Sequence, residues 1–429
     1  MKQQKSEAYI AVWGTLAAFG AYYSMYAFRK PFAAAQFSDL ALWGIDYKVV
    51  LVVSQLFGYL LSKFIGVKVI SELQPQHRIP ALLILLAWAE AALLGFAVAP
   101  VAWSPLFLFL NGIPLGMVFG VVFSFLEGRR RTELMSLGLG ISIIFASGSV
   151  KYIGKVLLDD YHVSPFWMPA LTGLLFVPLL GISTYMLLRL PPPSPDDIAA
   201  RSVRLPMTGA QRKALFGRYA PGLVLLVLTY ILLTILRDIR DNFAVEIWSA
   251  LGYAGQSSVL AQSELWVSLL ILGFVGGLSL IRNNATAFRL TLLAVSVGGL
   301  LLGASTWLFK LGWLSPLAWM VTAGFGLFIG YTVFQGILFE RMLAHYRETG
   351  NVGFLMYLAD AFGYLGSAGV MLWKNFSGAG NINWLAFFTT VSYIIACLSV
   401  VFSLAAMVYF FQKVPKTEEQ TELTLQTTT

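Results

Sequence analysis

Twelve apolar runs, each long enough to cross a lipid bilayer, constrain the fold of this chain more than any other feature. Hydrophobic residues make up 58 % of its 429 residues and charged residues only 12 %, whereas soluble globular proteins carry about 25 % charged residues. A transmembrane helix needs about 20 mostly apolar residues, and the runs reach this length. The composition excludes a water-soluble enzyme, a disordered chain and a nucleic-acid-binding protein. The runs lie near residues 8–36, 46–72, 79–98, 104–126, 133–158, 166–190, 219–248, 256–281, 286–310, 315–340, 351–375 and 383–411.

One long hydrophilic segment separates the first six runs from the last six. We therefore predict an all-α polytopic membrane protein of about 12 transmembrane helices in two six-helix halves. The predicted parts are an N-terminal half at 1–190, a cytoplasmic linker at 191–218, a C-terminal half at 219–411 and a disordered cytoplasmic tail at 412–429. Most of the 29 lysine and arginine residues fall in loops on the side of the N-terminus. This bias predicts that both termini are cytoplasmic and that the protein is a multi-pass protein of the inner or plasma membrane.

The two halves resemble one another at a nearly constant offset. Four short strings of the first half recur in the same order in the second half, displaced by 209 to 213 residues. The paired strings begin at Ser54 and Ser263, at Arg29 and Arg240, at Val150 and Phe362, and at Phe125 and Leu338. Because each half has an even number of helices, the repeats share one topology, related by an axis along the membrane normal. This arrangement is typical of major-facilitator transporters, whose solute site lies between the halves near the bilayer midplane.

Charged residues inside the apolar runs are the candidates for function. A charge at mid-bilayer costs at least about 2.5–3.5 kcal/mol, so such residues usually face the interior of the helix bundle and serve function or pairing. The basic residues of this kind are Arg29, Lys30, Lys63, Lys151, Arg237 and Arg240. The acidic residues are Glu90, Asp238, Asp241, Glu264 and Asp360.

Two of the arginines have tyrosines on the same face of their predicted helix. Arg29 follows Tyr22 and Tyr26 at spacings of seven and three residues, and Arg237 follows Tyr230 at a spacing of seven. A guanidinium group donates bidentate hydrogen bonds and keeps its charge when it is desolvated. We therefore predict that the two arginines form a clamp for a phosphate-like or carboxylate anion.

Two alternatives remain open for these arginines. Asp241, one turn further along the predicted helix, is a structural ion-pair partner for Arg237, and another acid could satisfy Arg240. The repeat also allows two registers, since the upstream aromatic residues align Arg29 with Arg237, whereas the downstream Phe-Ala match aligns it with Arg240. We keep all three arginines as candidates for substrate binding.

Depth along the predicted helices indicates two further charge pairs. Lys63 lies 9 residues from the cytoplasmic end of its helix, and Asp360 lies 9 residues from the cytoplasmic end of its own. Lys151 and Glu264 lie 18 and 17 residues from the same side. In a major-facilitator arrangement these helices face each other, so we predict that Lys63 approaches Asp360 and that Lys151 approaches Glu264. Each pair is either a gate or pocket charge, or a permanent structural pair, and Glu90 has no assigned partner.

Three strings resemble a known transporter family. The string Tyr22–Ala33 (YYSMYAFRKPFA) resembles the first helix of the organophosphate:phosphate antiporter family, the glycerol-3-phosphate and hexose-phosphate exchangers. Ser62–Gly66 (SKFIG) and the loop that reaches Arg78 resemble its second helix and the loop after it. Leu236–Arg237 resembles the Leu-Arg pair of its seventh helix.

This resemblance implies the major-facilitator fold and roles for five residues. Arg29 and Arg237 would bind phosphate, with Lys63 as a further cation of the pocket. Lys30 would pair with an acid on the seventh helix, which Asp241 offers best.

Together these features predict a secondary active transporter that carries a small organic anion by alternating-access exchange. A phosphorylated metabolite or phosphate is the first expectation for the solute. Tyr22, Tyr26 and Lys151 complete the predicted substrate-binding set. No nucleophile–base pair and no cluster of metal ligands appears in the sequence, so we predict no enzyme activity, no metal and no cofactor. The expected partners are the anionic solute and the lipid bilayer, with no nucleic acid, and the chain is expected to function as a monomer.

Two other functions remain open. The first is a proton-coupled solute symporter, in which Asp360, Glu264 or Glu90 takes up the proton. The second is a transporter-derived membrane sensor that binds an anion without measurable flux. The residues predicted for gating or proton coupling are Lys30, Asp241, Glu264, Asp360 and Glu90.

Overall fold

The computed structural model describes residues 2–71, 73–126, 132–192, 209–281, 283–335, 337–348, 352–376 and 383–413. These residues are mostly helical, as the apolar runs predict. Helices α1 to α7 span Lys2–Ala27, Tyr47–Ser71, Arg78–Val98, Ser104–Leu126, Thr132–Asp159, Met168–Leu175 and Val177–Leu188. Helices α8 to α15 span Gly209–Asn242, Ala244–Trp248, Ser258–Ser279, Asn284–Lys310, Pro316–Phe334, Ile337–His345, Val352–Phe376 and Trp384–Gln412. A short antiparallel hairpin pairs Ala41–Leu42 (β1) with Ile45–Asp46 (β2) just before α2.

Ten helices among the described residues are long and apolar enough to cross a membrane, and the bent pair α6–α7 makes an eleventh candidate. Helix α1 is not among them, because four tyrosines in its sequence lower its hydropathy. The prediction of an all-α multi-pass membrane protein is confirmed, whereas the side on which the termini lie stays a prediction. Most of the predicted linker, at 193–208, and most of the predicted tail, at 414–429, lie outside the described residues.

The first helix is shorter than its apolar run predicts. Helix α1 ends at Ala27 rather than near residue 36, and a turn leads into a 3₁₀ helix at Pro31–Ala34. Proline has no backbone N–H, so Pro31 cannot donate to the carbonyl of Ala27 as a helix would require. The backbone amides of Arg29 and Lys30 both bond to the carbonyl of Tyr26, at 3.0 and 2.9 Å, so the helix closes in a tight turn. Arg29 and Lys30 therefore lie in this turn and not within α1.

Three further runs are broken where single helices are expected. The breaks fall at Phe176, at Phe243 and after Phe334. At the first of them Pro178 occupies the start of α7, where a missing N–H costs no hydrogen bond. At Phe176 the residues on both sides are equally apolar, so the pattern does not reveal this break.

Polar side chains from two neighbouring helices donate hydrogen bonds to backbone carbonyl groups of the turn that follows α1. The Nε2 amide of Gln55 on α2 donates to the carbonyl of Arg29 at 2.9 Å. The Nδ2 amide of Asn111 on α4 donates to the carbonyl of Phe28 at 3.1 Å and to that of Ala89 on α3 at 3.0 Å. Gln55 also donates to the Oδ1 atom of Asn111 at 2.9 Å. Because a bilayer core offers no water to exposed carbonyls, these two amides stabilise the unwound backbone that presents Arg29.

The chain forms two compact units, each assembled from separate segments. Unit 1 comprises Met1–Arg201, Asp238–Leu272 and Ser367–Phe388. Unit 2 comprises Ser202–Arg237, Gly273–Gly366 and Thr389–Thr429. The division cuts α8 at residue 237, so it does not follow the predicted halves at 1–190 and 219–411, which stay a prediction.

Close helix packing in unit 1 depends on glycines. A Cβ atom on Gly58 of α2 would overlap the carbonyl oxygen of Phe109 on α4, and one on Gly112 of α4 would overlap the carbonyl oxygen of Gln55. Small residues let two membrane helices approach until their backbones touch. The contact holds Gln55 and Asn111 close to the turn after α1.

We expect Gly58→Ala to lower the thermal stability of the detergent-solubilised protein. The added methyl group has to displace the backbone of α4, and overpacking of this kind costs typically about 1–3 kcal/mol. Gly181→Ala is the matched control, since a Cβ atom at Gly181 on α7 meets nothing within 4 Å. Equal melting temperatures for the two variants would contradict the assigned packing.

Candidate functional site

Asp241 is the centre of a cluster of charges in unit 1, at the end of α8. Its carboxylate pairs with Lys30 from the turn after α1 and accepts a hydrogen bond from the hydroxyl of Ser147. The Nζ atom of Lys151 on α5 lies 2.6 Å from Oδ1 of Asp241 and 2.7 Å from its backbone oxygen. Lys30 also donates to Oδ1 of Asn242 at 3.0 Å. One acid thus joins two buried lysines, one from the turn after α1 and one from α5.

Two further ion pairs link the end of α8 and α9 to other helices of unit 1. Arg240 pairs with Glu264 of α10 at 2.5 Å. Lys48 of α2 lies 2.5 Å from Glu246 of α9, and it also donates to the carbonyl of Ala33 at 2.8 Å. With Asp241, Lys30 and Lys151, these pairs make up what we call the α8 charge cluster.

The cluster resolves several predicted pairs. Lys30 and Asp241 are paired, as the family resemblance implies. Lys151 and Glu264 interact electrostatically, but no ion pair joins them among the described residues: Lys151 takes Asp241 as its partner, and Glu264 takes Arg240. The predicted approach of the two residues is consistent with this interaction and stays a prediction, while the end of α8 supplies the nearer partner of each.

A second group in unit 1 places two cations on one tyrosine ring. The guanidinium carbon of Arg29 lies 4.0 Å from the ring centroid of Tyr59 on α2, and the Nζ atom of Lys63, one turn further along, lies 5.1 Å from it. Tyr26 lies 5.8 Å from the same guanidinium, and its ring packs edge-on against Tyr22 at 5.6 Å. Both cations are buried, with 6 % and 8 % of their surface exposed. Two positive charges held together in a low-dielectric place attract an anion strongly.

Arg237 lies in a comparable aromatic environment in unit 2. Its guanidinium carbon is 4.6 Å from the ring centroid of Tyr331 on α12 and 5.3 Å from that of Tyr364 on α14. It also donates a hydrogen bond to the hydroxyl of Tyr331. The ring faces carry partial negative charge, which favours a guanidinium placed over them.

An acid closes the polar group around Arg237. The hydroxyl of Tyr230 donates to Oδ1 of Asp360, and the rings of Tyr230 and Tyr331 stack at 5.3 Å. The amide of Gln335 donates to the hydroxyls of Tyr230 and Tyr331, at 2.5 and 3.1 Å. Arg237 and Asp360 are therefore joined by a chain of side-chain hydrogen bonds within unit 2.

These surroundings bear on whether Arg237 or Arg240 is the counterpart of Arg29 in the repeat. Arg29 and Arg237 both lie over tyrosine rings, whereas Arg240 takes the structural alternative of an acidic partner, Glu264. The environments favour Arg237 as the counterpart of Arg29. The predicted approach of Lys63 to Asp360 joins residues of different units and stays a prediction.

Glu90 is separate from these groups. Its Oε2 atom lies where a Cβ atom on Gly173 of α6 would come within 2.5 Å, so the carboxyl packs directly against that helix. Both of its carboxyl oxygens are buried and make no hydrogen bond among the described residues. Within that part of the chain no group of three potential metal ligands is present either.

His345, at the end of α13, is not part of the candidate site. Burial and the nearby Arg289 lower the pKa of His345, which keeps its ring neutral at neutral pH. Burial raises the pKa of the adjacent Tyr346 to about 12, so its hydroxyl keeps its proton and donates to the carbonyl of Phe410 at 2.6 Å.

Several residues of these groups escape the sequence analysis. Glu246 lies inside the predicted seventh helix and satisfies the rule for intramembrane charges, so that rule can find it. Lys48 lies near the predicted end of a helix and gives no such signal. Tyr59, Tyr331 and Gln335 have no distinctive sequence signal, because aromatic residues make up 14 % of the chain and occur in every run.

Comparisons with known proteins agree with this architecture. Residues 31–413 match the profile of DUF5690, described as a family of unknown function. No curated protein sequence matches the chain significantly. A crystal structure of the nucleoside transporter NupG is 17 % identical, with a TM-score of 0.60, and the match covers 94 % of this chain and 100 % of that one. A crystal structure of a D-xylose–proton symporter is 15 % identical, with a TM-score of 0.63 and coverage of 95 % and 98 %. These similarities show that the chain has the major-facilitator fold.

We expect Asp241→Asn to destabilise the protein strongly. The substitution leaves Lys30 and Lys151 buried against a neutral amide, and breaking a buried pair in this way costs about 3–5 kcal/mol. The matched control is Asp159→Asn, which removes a partly exposed partner of Lys155 on the same helix as Lys151 and costs at most about 1 kcal/mol. Thermal unfolding in detergent measures both, and a shift for Asp241→Asn no larger than that of the control would refute the central role of Asp241.

Proposed function

The chain belongs to the DUF5690 family, and we propose that it is a secondary active transporter that carries a small organic anion by alternating access. Its fold is shared with solved structures named as a nucleoside transporter and a D-xylose–proton symporter. At 15–17 % identity this likeness supports transport in general, and the choice of solute rests on the side chains of the candidate site.

The observation that carries the proposal is the pair of buried arginines over tyrosine rings. Arg29 and Arg237 are 6 % and 8 % exposed, and both lie on segments of an intramembrane bundle. Tyrosine rings favour a positive charge placed over them, and a guanidinium there can donate hydrogen bonds to an anionic oxygen of a substrate. The planar fork of arginine suits phosphate and carboxylate groups. We therefore assign substrate binding to Arg29 and Arg237, with Lys63 as an additional cation.

A phosphorylated metabolite or phosphate is the solute that we propose. Lys63 and Arg29 share the ring of Tyr59, so a multiply charged anion gains from two cations at once. The resemblance of Tyr22–Ala33 to the organophosphate:phosphate antiporters supports the same solute class.

Exchange follows from the charge of the empty site. Two cations on one ring resist passage through the apolar midplane without a compensating anion. If the binding site changes sides more readily with an anion bound than empty, the protein exchanges one anion for another. We propose this mode of transport.

We assign the α8 charge cluster a gating role. Its ion pairs tie the end of α8 and α9 to the turn after α1, to α2, α5 and α10, all within unit 1. In alternating access the substrate pathway opens on one side of the membrane at a time. We propose that these contacts separate when it opens on the side at which α1 ends. The proposal places both termini in the cytoplasm, in the inner or plasma membrane.

Counterflow in proteoliposomes tests the proposal. Vesicles loaded with unlabelled phosphate are expected to accumulate trace labelled phosphate through the wild-type protein. We expect Arg29→Ala and Arg237→Ala each to reduce this accumulation at least about tenfold, because losing a charge-assisted bidentate contact costs about 1.5–3 kcal/mol.

Arg189→Ala is the matched control for these variants. Arg189 is exposed at the end of α7 and stacks on Tyr185 at 5.2 Å, so its loss should leave counterflow unchanged. Failure of the folded wild-type protein to accumulate phosphate or an organophosphate would count against anion exchange.

A further inference from the structure

Helices α11 and α15 of unit 2 share a cation–aromatic pair at each end of their contact. The guanidinium carbon of Arg289, near the start of α11, lies 5.2 Å from the ring centroid of Phe411 at the end of α15. The Nζ atom of Lys310, the last residue of α11, lies 5.0 Å from the ring centroid of Tyr393 on α15. We call this contact, from Arg289 and Phe411 to Lys310 and Tyr393, the α11–α15 seam.

Small and polar residues bring the two helices together along the seam. The hydroxyl oxygens of Ser296 and Ser403 are 2.8 Å apart. A Cβ atom on Gly299 of α11 would come within 2.7 Å of the hydroxyl of Ser399 and within 2.8 Å of Val400 on α15. The helices therefore pack directly on one another, and their outward side chains border one continuous surface.

Exposed leucines border the seam on both helices. Leu293 and Leu300 follow Arg289 by four and eleven residues, close to one and three helical turns. Leu404 precedes Phe411 by seven residues, close to two turns. Each stripe thus shares a face of its helix with the cation or the ring at its end. Because both helices are long and apolar enough to cross a membrane, this surface is apolar between its charged ends.

The two cations are spaced by about the thickness of a bilayer. Arg289 and Lys310 are 21 residues apart on one helix, which corresponds to about 32 Å at about 1.5 Å per residue. The hydrocarbon core of a bilayer is about 30 Å thick. The two cations therefore lie at the levels of the two headgroup layers.

Both cations are exposed, and neither forms an ion pair with an acid among the described residues. An aromatic ring favours a positive charge over its face but carries no net charge of its own, so each end of the seam stays positive. Lysine and arginine residues at a membrane surface attract anionic lipid headgroups.

We propose that the α11–α15 seam binds an anionic phospholipid in each leaflet, with the headgroup phosphate at Arg289 or Lys310 and the acyl chains along the exposed leucines. Such a lipid matches both parts of the surface, whereas a free phosphate ion would meet only the cation. The inference is independent of the proposed solute, since no residue of the seam belongs to the candidate site.

The native cysteine provides the probe for the test. Cys397 is the single cysteine of the chain, is exposed, and precedes Leu404 by seven residues on the same face of α15. A fluorophore on Cys397 of the full-length protein in lipid vesicles is titrated with phosphatidylglycerol or phosphatidylcholine that carries brominated, quenching acyl chains. We expect phosphatidylglycerol to reach half-maximal quenching at an about fivefold lower mole fraction, because its net charge is attracted to the cations.

Variants of the two cations assign this preference. Arg289→Gln combined with Lys310→Gln is expected to abolish the preference, so that both lipids quench at equal mole fractions. Arg289→Lys is expected to retain it, which separates loss of charge from loss of packing. Arg189→Gln is the matched control, since Arg189 is an exposed cation over the ring of Tyr185 at the end of α7 in unit 1, and it is expected to retain the preference.

Three results would overturn the proposal. A preference that survives in the double variant, or that Arg189→Gln abolishes as well, removes the assignment to Arg289 and Lys310. Equal quenching of the wild-type protein by the two lipids excludes selection of an anionic headgroup. Absence of quenching by either lipid shows that protein, such as a second copy of the chain, covers the seam instead.

Discussion

The apolar core of a bilayer supplies no hydrogen-bond partners, and this constraint governs how the turn after α1 is built. Pro31 stops α1 and leaves carbonyl groups without helical partners, so Gln55 and Asn111 have to supply amide donors for them. These amides reach the turn because glycines let α2 and α4 approach until their backbones touch. Arg29 and Lys30 are thus presented by backbone that several helices hold, and a change of packing between α2 and α4 moves both cations.

The buried cations fall into two chemical kinds. Lysines and arginines of the α8 charge cluster have carboxylate partners within 2.6 Å or less, and these contacts bind segments of unit 1 together. Arg29 and Arg237, in contrast, lie over tyrosine rings. A carboxylate partner fixes the place of a cation, and a ring face adds an attraction of about 0.5–2 kcal/mol for positive charge. The contacts proposed for gating belong to the first kind, and the arginines proposed for substrate binding belong to the second.

The sequence predicts the all-α membrane fold and most helix positions, because apolar length is encoded locally. It also identifies every cation of the candidate groups except Lys48, since a charge in an apolar run stands out. The sequence does not predict which residues of different helices pair with one another. Spacing along one helix reveals neighbours on that helix, such as Tyr26 beside Arg29, but Asp241 joins lysines from two other segments. The tyrosines over Arg29 and Arg237 from other helices cannot be identified for the same reason, and the break at Phe176 is hidden by equally apolar flanks.

Tyr22 and Arg29 have the same spacing as Tyr230 and Arg237 in the second repeat. The charged residue grouped with each arginine nevertheless differs in sign. In unit 1 a second cation, Lys63, joins Arg29 on one ring. In unit 2 an acid, Asp360, joins Arg237 through hydroxyl groups. The same spacing of tyrosine and arginine therefore occurs in two electrostatic settings. Within unit 1 a second cation adds positive charge beside Arg29, whereas within unit 2 an acid offsets the charge of Arg237. Spacing along one helix does not encode this difference, because Lys63 and Asp360 come from other helices.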